Sequence, residues 1–168
     1  MSDAHRTLEF GPLREDDLKG VLELNQHWVP HVGPLERDSL DALLAMADLA
    51  VGVHDAGHLK GFVLAIGPDS PYTSPNYRWF SERHELFLYV DRVAVAPSAQ
   101  RTGLGRSLYG MVIDRARSIG AGVVCAEVNL DPPNPESQDF HARMGFVELG
   151  RQWTYGDTVE VQLLELAL

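Results

Sequence analysis

The sequence contains one cysteine, Cys125, among 168 residues. No disulfide within the chain and no cysteine cluster for zinc can therefore form. The neighbouring Val123, Val124 and Val128 predict that Cys125 is a buried strand residue and not a nucleophile. The seven histidines are scattered along the chain, and the sequence predicts no metal site.

Long apolar runs are also absent. None approaches the ~20 residues of a membrane span, and residues 1–10 lack the apolar core of a secretory signal. We therefore expect no membrane partner and a cytoplasmic location. Basic residues are scarce, since 14 of them stand against 24 acidic residues and give a formal net charge of −10. This balance argues against a nucleic-acid partner and is compatible with an amine substrate.

The composition of the chain, with 45% hydrophobic and 23% charged residues, is typical of a globular protein. Its length fits one domain with a sizeable core, and no linker divides it. We therefore expect a single domain over residues 1–168.

The first half of the chain predicts one strand, two helices and a hairpin. Apolar residues at helical spacing indicate the helices, and Asp55 to His58 is typical of a hairpin turn. The predicted elements are a strand at His5–Phe10, helices at about Glu15–His27 and Glu36–Ala47, and strands at Leu49–His54 and Leu59–Ile66.

The segment from Gly67 to Glu85 differs in kind, because prolines alternate in it with aromatic residues. Long loops within compact domains are often functional, so one interpretation is a lid or a substrate wall. The alternative is a surface excursion whose aromatic residues are anchored in the core, with a helical turn at Asn76–Glu82.

The second half predicts a strand, a helix and a parallel strand, followed by a short helix and a hairpin around Gly156 and Asp157. Simple alternation in the first of these strands places Tyr89, Asp91 and Val93 on one face. The predicted elements are strands at Leu86–Val95 and Val123–Val128, a helix at about Gly103–Ile119 between them, a helix at Glu136–Met144, and strands at Phe146–Thr154 and Thr158–Leu166.

The turn Gln100–Gly105 joins that strand to its helix and carries two glycines. The first amide N–H groups of a helix are unpaired, and glycine lets a phosphate approach them closely. The alternative is that Gly103 and Gly105 only permit a tight connection. A dinucleotide-binding fingerprint does not fit, because it requires three glycines after the first strand of a parallel sheet.

In this order of elements, three stretches resemble the GNAT superfamily of acetyl-CoA-dependent N-acetyltransferases. Gln100–Gly105 matches the motif Q/R-x-x-G-x-G/A, Val93–Pro97 matches the strand end before it, and Asn134–Phe146 matches the later asparagine, short helix and glycine-phenylalanine pair. The resemblance implies an α+β (α/β) fold. Its central sheet would be mixed, mostly antiparallel and of about seven strands, with about four flanking helices and a splayed parallel strand pair.

The resemblance implies an N-acetyltransferase that moves an acetyl group from acetyl-CoA, or another acyl-CoA, to a primary amine. The strand backbone would hold the pantetheine arm, and the glycine turn would hold the pyrophosphate. The residues assigned to the cofactor are Val93, Ala94, Val95, Gln100, Arg101, Thr102, Gly103, Leu104, Gly105, Arg106, Asn134 and His141.

The chemistry that the resemblance implies is direct attack by the amine on the thioester. Many members carry a tyrosine where this chain has His141, so His141 either protonates the thiolate or only contacts the cofactor. Tyr89 occupies the position of a glutamate base in several relatives, and its high pKa makes it a poor base. Asp91 and Glu127 are the candidate bases, and an ion pair with Arg92 or Arg151 is the alternative for Asp91.

The acceptor amine would belong to a small molecule, an amino acid or a peptide or protein. We expect its site to include His31, Tyr77, Trp79 and Tyr89, each of which could equally be a packing residue. A non-catalytic acyl-CoA-binding module and an interaction protein are the competing interpretations. The sequence does not establish the oligomeric state; many members of the family it resembles dimerise, and in a homodimer the last hairpin is the candidate contact.

Overall fold

The computed structural model describes residues 7–168. Seven strands and five α-helices form in this part of the chain, together with 3₁₀ turns at Glu15–Asp17 and Pro97–Ala99. In chain order the elements are β1 (Leu8–Pro12), α1 (Leu18–His27), α2 (Arg37–Met46), β2 (Ala47–Asp55), β3 (His58–Ile66), α3 (Pro75–Ser81), β4 (Leu88–Val95), α4 (Leu104–Ser118), β5 (Val123–Asp131), α5 (Pro135–Met144), β6 (Val147–Thr154) and β7 (Val159–Ala167).

These elements confirm the predicted order, with shifts of a few residues at their ends. Of the predicted first strand, residues 5 and 6 lie outside the described residues. The predicted helical turn in the proline-rich segment is the full helix α3. Its start is fixed by local chemistry, because the Ser74 side chain accepts a hydrogen bond from the amide of Tyr77 and Pro75 needs no amide partner.

The seven strands form one sheet in the order β1-β2-β3-β4-β5-β7-β6. All neighbours are antiparallel except β4 and β5, which are parallel and flank the crossover helix α4. This topology confirms the mixed, mostly antiparallel sheet and its single parallel pair among the described residues.

Helices cover both faces of the sheet. Helices α4 and α5 pack on one face, and α1, α2 and α3 pack on the other. Cys125 is buried in the sheet, where burial raises the pKa of its thiol well above the usual range. No helix among residues 7–168 is long and apolar enough to cross a membrane.

Strand β4 contains a bulge that the alternation pattern misses. Leu64 of β3 pairs with Arg92, whereas the next residue, Ala65, pairs with Val90, so Asp91 is an extra residue in β4. Tyr89 therefore packs with the α3 side of the core, and Val93 packs with the α4 side. The prediction that Tyr89 and Val93 lie on the same face of the strand is therefore wrong.

Candidate active site

A cleft opens where the two parallel strands separate. Strands β4 and β5 pair only at Leu88 with Val124 and at Tyr89 with Cys125. Beyond these pairs they enclose a cavity of about 970 Å³, which extends from the glycine turn to the loop after α1. The cavity has the size of a site for a large ligand.

The β4 backbone presents hydrogen-bonding groups to this cleft. The Ala96 amide donates to Lys60 of β3 at 2.8 Å, so the alternating backbone groups of Val93 and Val95 point to the open side. The Trp28 indole confirms this direction, because it donates to the Val95 carbonyl at 2.9 Å. Ala94 also lines the cavity, but its backbone pairs with Phe62 of β3.

The glycine turn lies at one end of the cavity. Gly103 has a φ of 85°, a conformation that favours glycine, and a Cβ there would meet nothing within 4 Å. Helix α4 begins at the next residue, so its free amide groups face this end of the cleft. Thr102 is the exception among the residues assigned to the turn, because its hydroxyl donates to the Ala99 carbonyl at 2.6 Å and does not line the cavity.

Three arginines line the cavity, namely Arg101 and Arg106 at the glycine turn and Arg143 on α5. None of them forms an ion pair within residues 7–168. Asn134 also lines the cavity, where its side-chain oxygen caps α5 and its side-chain amide donates no hydrogen bond within residues 7–168. Free cations beside a helix N-terminus suit the phosphates of a CoA molecule.

Glu127 lies at the other end of the cavity, on β5. The Tyr89 hydroxyl donates to its Oε1 at 2.8 Å, whereas its buried Oε2 has no hydrogen-bond partner among the described residues. Burial, and next the charge of Asp91, raise the pKa of Glu127 to about 8, although Tyr89, Asn76 and Arg92 oppose the shift. A carboxylate with such a pKa is suited to exchange protons near neutral pH.

Asp91 is engaged on both oxygens. Its Oδ2 accepts from Arg92 Nε at 2.9 Å, and its Oδ1 accepts from the Tyr72 hydroxyl at 2.5 Å. The structure therefore shows the predicted alternative for Asp91, an ion pair with Arg92. Arg151 instead pairs with Glu148 on β6. Because both oxygens have partners, Asp91 is the weaker of the two candidate bases.

His141 is buried in the wall of the cavity between α4 and α5. Its Nδ1 lies 2.7 Å from the Ser137 carbonyl, which only accepts, so Nδ1 carries the proton. Nε2 then accepts from the Tyr109 hydroxyl at 2.6 Å. Burial lowers the pKa of His141, against the opposing effect of the Ser137 carbonyl, so the neutral ring is favoured.

The predicted acceptor residues separate into two groups. His31 lines the cavity, but Tyr77, Trp79 and Tyr89 do not. Tyr77 is buried and donates to the Gly67 carbonyl at 2.7 Å, and the Trp79 ring packs against Gly150. The rings of Tyr77 and Trp79 therefore anchor the α3 segment in the core, as in the second of the two interpretations of Gly67–Glu85. Tyr89 affects the cavity only through its hydrogen bond to Glu127.

The lining residues that the sequence did not predict include Asn76, Tyr109, Arg143 and Tyr155. The sequence could have predicted Tyr109 and Arg143 as lining residues, because each lies on the face of its helix that is turned towards the cleft. Tyr155 follows from no such pattern, because it lies in the β6–β7 turn with an unusual φ of 52°.

A family model described as Acetyltransferase (GNAT) family matches residues 23–146. The chain therefore belongs to this family. It is an acyl-CoA-dependent N-acetyltransferase, and the non-catalytic module is not favoured. A comparison with curated protein sequences found no match.

Solved structures share the fold over nearly the whole chain. Ard1 from Thermoplasma volcanium is 18% identical with a TM-score of 0.77, and the match covers 96% of this chain and 97% of that one. The ribosomal-protein-alanine N-acetyltransferase from Brucella melitensis is 21% identical with a TM-score of 0.71, covering 95% and 99%. The putative acetyltransferase yncA from Salmonella typhimurium, solved with acetyl-CoA, is 19% identical with a TM-score of 0.69, covering 96% and 94%.

Proposed function

We propose that the chain, working as one domain, transfers an acetyl group from acetyl-CoA to a primary amine by direct attack within a ternary complex. The observation that carries this proposal is the cleft between β4 and β5. It joins a phosphate-binding end at Gly103 to a proton-accepting end at Glu127.

Acetyl-CoA would be held mainly by backbone groups. The backbone N–H and C=O of Val93 and the N–H of Val95 would pair with the amides of its pantetheine arm as an added strand does, whereas the Val95 carbonyl already accepts from Trp28. The turn Gln100–Gly105 would bind the pyrophosphate, with Arg106 as a cation beside it. Asn134 lies along the same wall and supports the arm.

Glu127 is the proposed base. The amine nitrogen attacks the thioester carbon, the C–N bond forms and the C–S bond breaks, and Glu127 Oε2 accepts the proton that the amine loses. Oε1 stays bound to Tyr89, which fixes the carboxylate while Oε2 remains free. The Val93 amide, pointing into the cleft, would stabilise the negative charge that develops on the carbonyl oxygen.

The leaving thiolate requires a donor, and the geometry favours Tyr109 over His141. His141 Nδ1–H is held by Ser137, and Nε2 accepts, so the neutral ring has no proton to offer to sulfur. The Tyr109 hydroxyl can turn from Nε2 towards the cavity and donate to the sulfur. Under this proposal His141 orients Tyr109, which stabilises the leaving sulfur through a hydrogen bond, since burial raises the pKa of Tyr109 and disfavours complete loss of its proton.

The acceptor is expected beside His31 and the loop after α1, since these line the cavity next to Glu127. One solved structure of this fold, Naa50 from Arabidopsis thaliana, was obtained with a bisubstrate analogue of CoA and a short peptide. A peptide amine is therefore one candidate acceptor, and a small amine or amino acid is another.

The homodimer and the cytoplasmic location predicted from the sequence stay predictions. Supporting the homodimer, β6 is an edge strand that exposes Val147, Leu149 and Trp153. Apolar side chains on an unpaired edge favour association. Sedimentation velocity of the protein and of a Trp153→Glu variant tests it, and a wild-type monomer at all concentrations contradicts it.

Acetyl transfer is tested by incubating the protein with acetyl-CoA and an amine panel. We expect CoA thiol release together with an acetylated product of matching mass. Acetyl-CoA should also raise the melting temperature, because a ligand that binds only the folded state stabilises it. A raised melting temperature without any product would support the binding module instead.

A further inference from the structure

Arg92 is a partly buried cation that lines the cavity. Nε donates to Asp91 at 2.9 Å, and Nη1 donates to the Asn25 side chain at 2.8 Å and to the Gly33 carbonyl at 3.3 Å. Nη2 makes no hydrogen bond within residues 7–168, although Arg92 lines the cavity. A guanidinium that is fixed on two sides and open on the third is preorganised to bind a carboxylate.

A group of opposite charge faces the same space. Glu127 also lines the cavity, and Arg92 lies near enough to lower the pKa of Glu127. Tyr155 also lines the cavity, and its hydroxyl lies 3.3 Å from the point that a Cβ would occupy on Gly33, the residue whose carbonyl accepts from Arg92. The cavity is thus lined by Arg92 with its partner Asp91, by the ionisable carboxyl of Glu127 and by Tyr155.

The loop after α1 closes over this volume. Asn129 of β5 donates to the Pro30 carbonyl at 3.1 Å, and Trp28 donates to Val95 of β4 at 2.9 Å. Arg92 and Asn25 both donate to Gly33 at the far end of the loop. The loop is therefore bonded to both strands of the cleft, an arrangement that suits a small acceptor better than an extended polypeptide.

We propose that the acceptor is a free amino acid, bound through its carboxylate by Arg92 Nη2 and Tyr155 and through its amine by Glu127. This inference rests on the proposed acetyl transfer and specifies its substrate class. A peptide N-terminus fails this requirement, because the group next to its amine is a neutral amide.

The test compares acceptors that share the amine and differ in the carboxylate. Thiol release from acetyl-CoA is measured with L-amino acids, their methyl esters, the corresponding decarboxylated amines, and tripeptides that begin with the same residues. We expect kcat/KM for the best free amino acid to exceed that for its ester by at least about 100-fold, because a charged site rejects a ligand that leaves it unpaired.

A variant adds a second measurement. Arg92→Met should reduce the ratio of kcat/KM for free acid over ester to near one, while Arg117→Met, which removes an exposed arginine on α4, should leave that ratio unchanged. The comparison is made within each variant, so a general loss of activity cancels. If Arg92→Met does not fold, the wild-type ratio decides alone.

The outcomes separate this inference from the one it depends on. Esters, amines or tripeptides that react as well as free amino acids would overturn the amino-acid assignment and leave acetyl transfer intact. If none of these acceptors supports thiol release, both the amino-acid assignment and acetyl transfer itself are overturned.

Discussion

The Tyr89 hydroxyl donates a hydrogen bond to Oε1 of Glu127 over 2.8 Å, across β4 and β5 at the point where these strands separate. The bond links Tyr89, at the last position where β4 pairs with β5, to the carboxyl group of Glu127 in the cleft. It also leaves Glu127 Oε2 without a hydrogen-bond partner among the described residues.

Glu127 should make the stability of the protein depend on pH. Its pKa of about 8 in the folded state lies above the usual 4.5, so the folded protein retains a proton that the unfolded chain releases between these values. The contribution of this group to the free energy of unfolding is therefore intact below about pH 4.5 and declines as the pH rises to about 8.

Glu127→Gln tests this sign, because glutamine keeps the bond from Tyr89 and cannot ionise. At pH 8.5 we expect the variant to be more stable than the wild type by up to about 5 kcal/mol, since each of the roughly 3.5 pKa units between 4.5 and about 8 corresponds to about 1.4 kcal/mol. At pH 4.5 the two should agree. Urea unfolding at both pH values measures this, and an equal difference at both would contradict the raised pKa.

Tyr109→Phe should slow acetyl transfer more than it weakens acetyl-CoA binding. The variant removes the hydroxyl and keeps the ring, so we expect kcat to fall about 10- to 100-fold while KM for acetyl-CoA stays within about 3-fold. His141→Ala should have a smaller effect on kcat, because His141 only orients the hydroxyl. Full turnover by Tyr109→Phe would remove Tyr109 from the mechanism, and a larger loss in His141→Ala would return the acid role to the histidine.

The three free arginines should contribute to CoA affinity through charge. We expect Arg101→Gln, Arg106→Gln and Arg143→Gln each to weaken CoA binding by about 3- to 30-fold at low salt, and by less at high salt because ions screen exposed charges. Isothermal titration calorimetry measures the affinities, with Arg117→Gln as the control. An affinity unchanged in all three variants would place the phosphates elsewhere.

Gly103 should tolerate no side chain without strain. Gly103→Ala places a Cβ on a backbone with a φ of 85°, which costs about 1 kcal/mol of unfolding free energy. Gly110→Ala is the matched control, because Gly110 lies within helix α4, has open space around it and should gain about 0.5 to 1 kcal/mol from the better helix former. Denaturant unfolding of both variants tests whether the effects have opposite signs.

The sequence predicted those parts of the fold that depend on neighbouring residues. The glycine turn, the crossover around α4 and the hairpin at Gly156 are encoded by residues close in the chain, and the structure confirms each. Helix α3 was harder, because its aromatic residues are explained by the core they enter and not by a helical pattern.

The cleft was less predictable, because its chemistry depends on partners far apart in the chain. The bulge at Asp91 arises from the register with β3, and alternation within β4 cannot reveal it. The hydrogen bond between Tyr109 and His141 joins α4 to α5, and the two residues are 32 positions apart in the chain. The sequence predicted Arg92 only as a partner for Asp91, whereas in the structure Arg92 also lines the cavity.

The account is tested most directly by the pH dependence of kcat for acetyl transfer in the wild type and in Glu127→Gln, with one amine acceptor at saturation. We predict that the wild-type kcat rises with pH as Glu127 ionises, and that Glu127→Gln lowers kcat at least about 100-fold and loses this rise. A Glu127→Gln variant with wild-type kcat and the same rise would contradict the account.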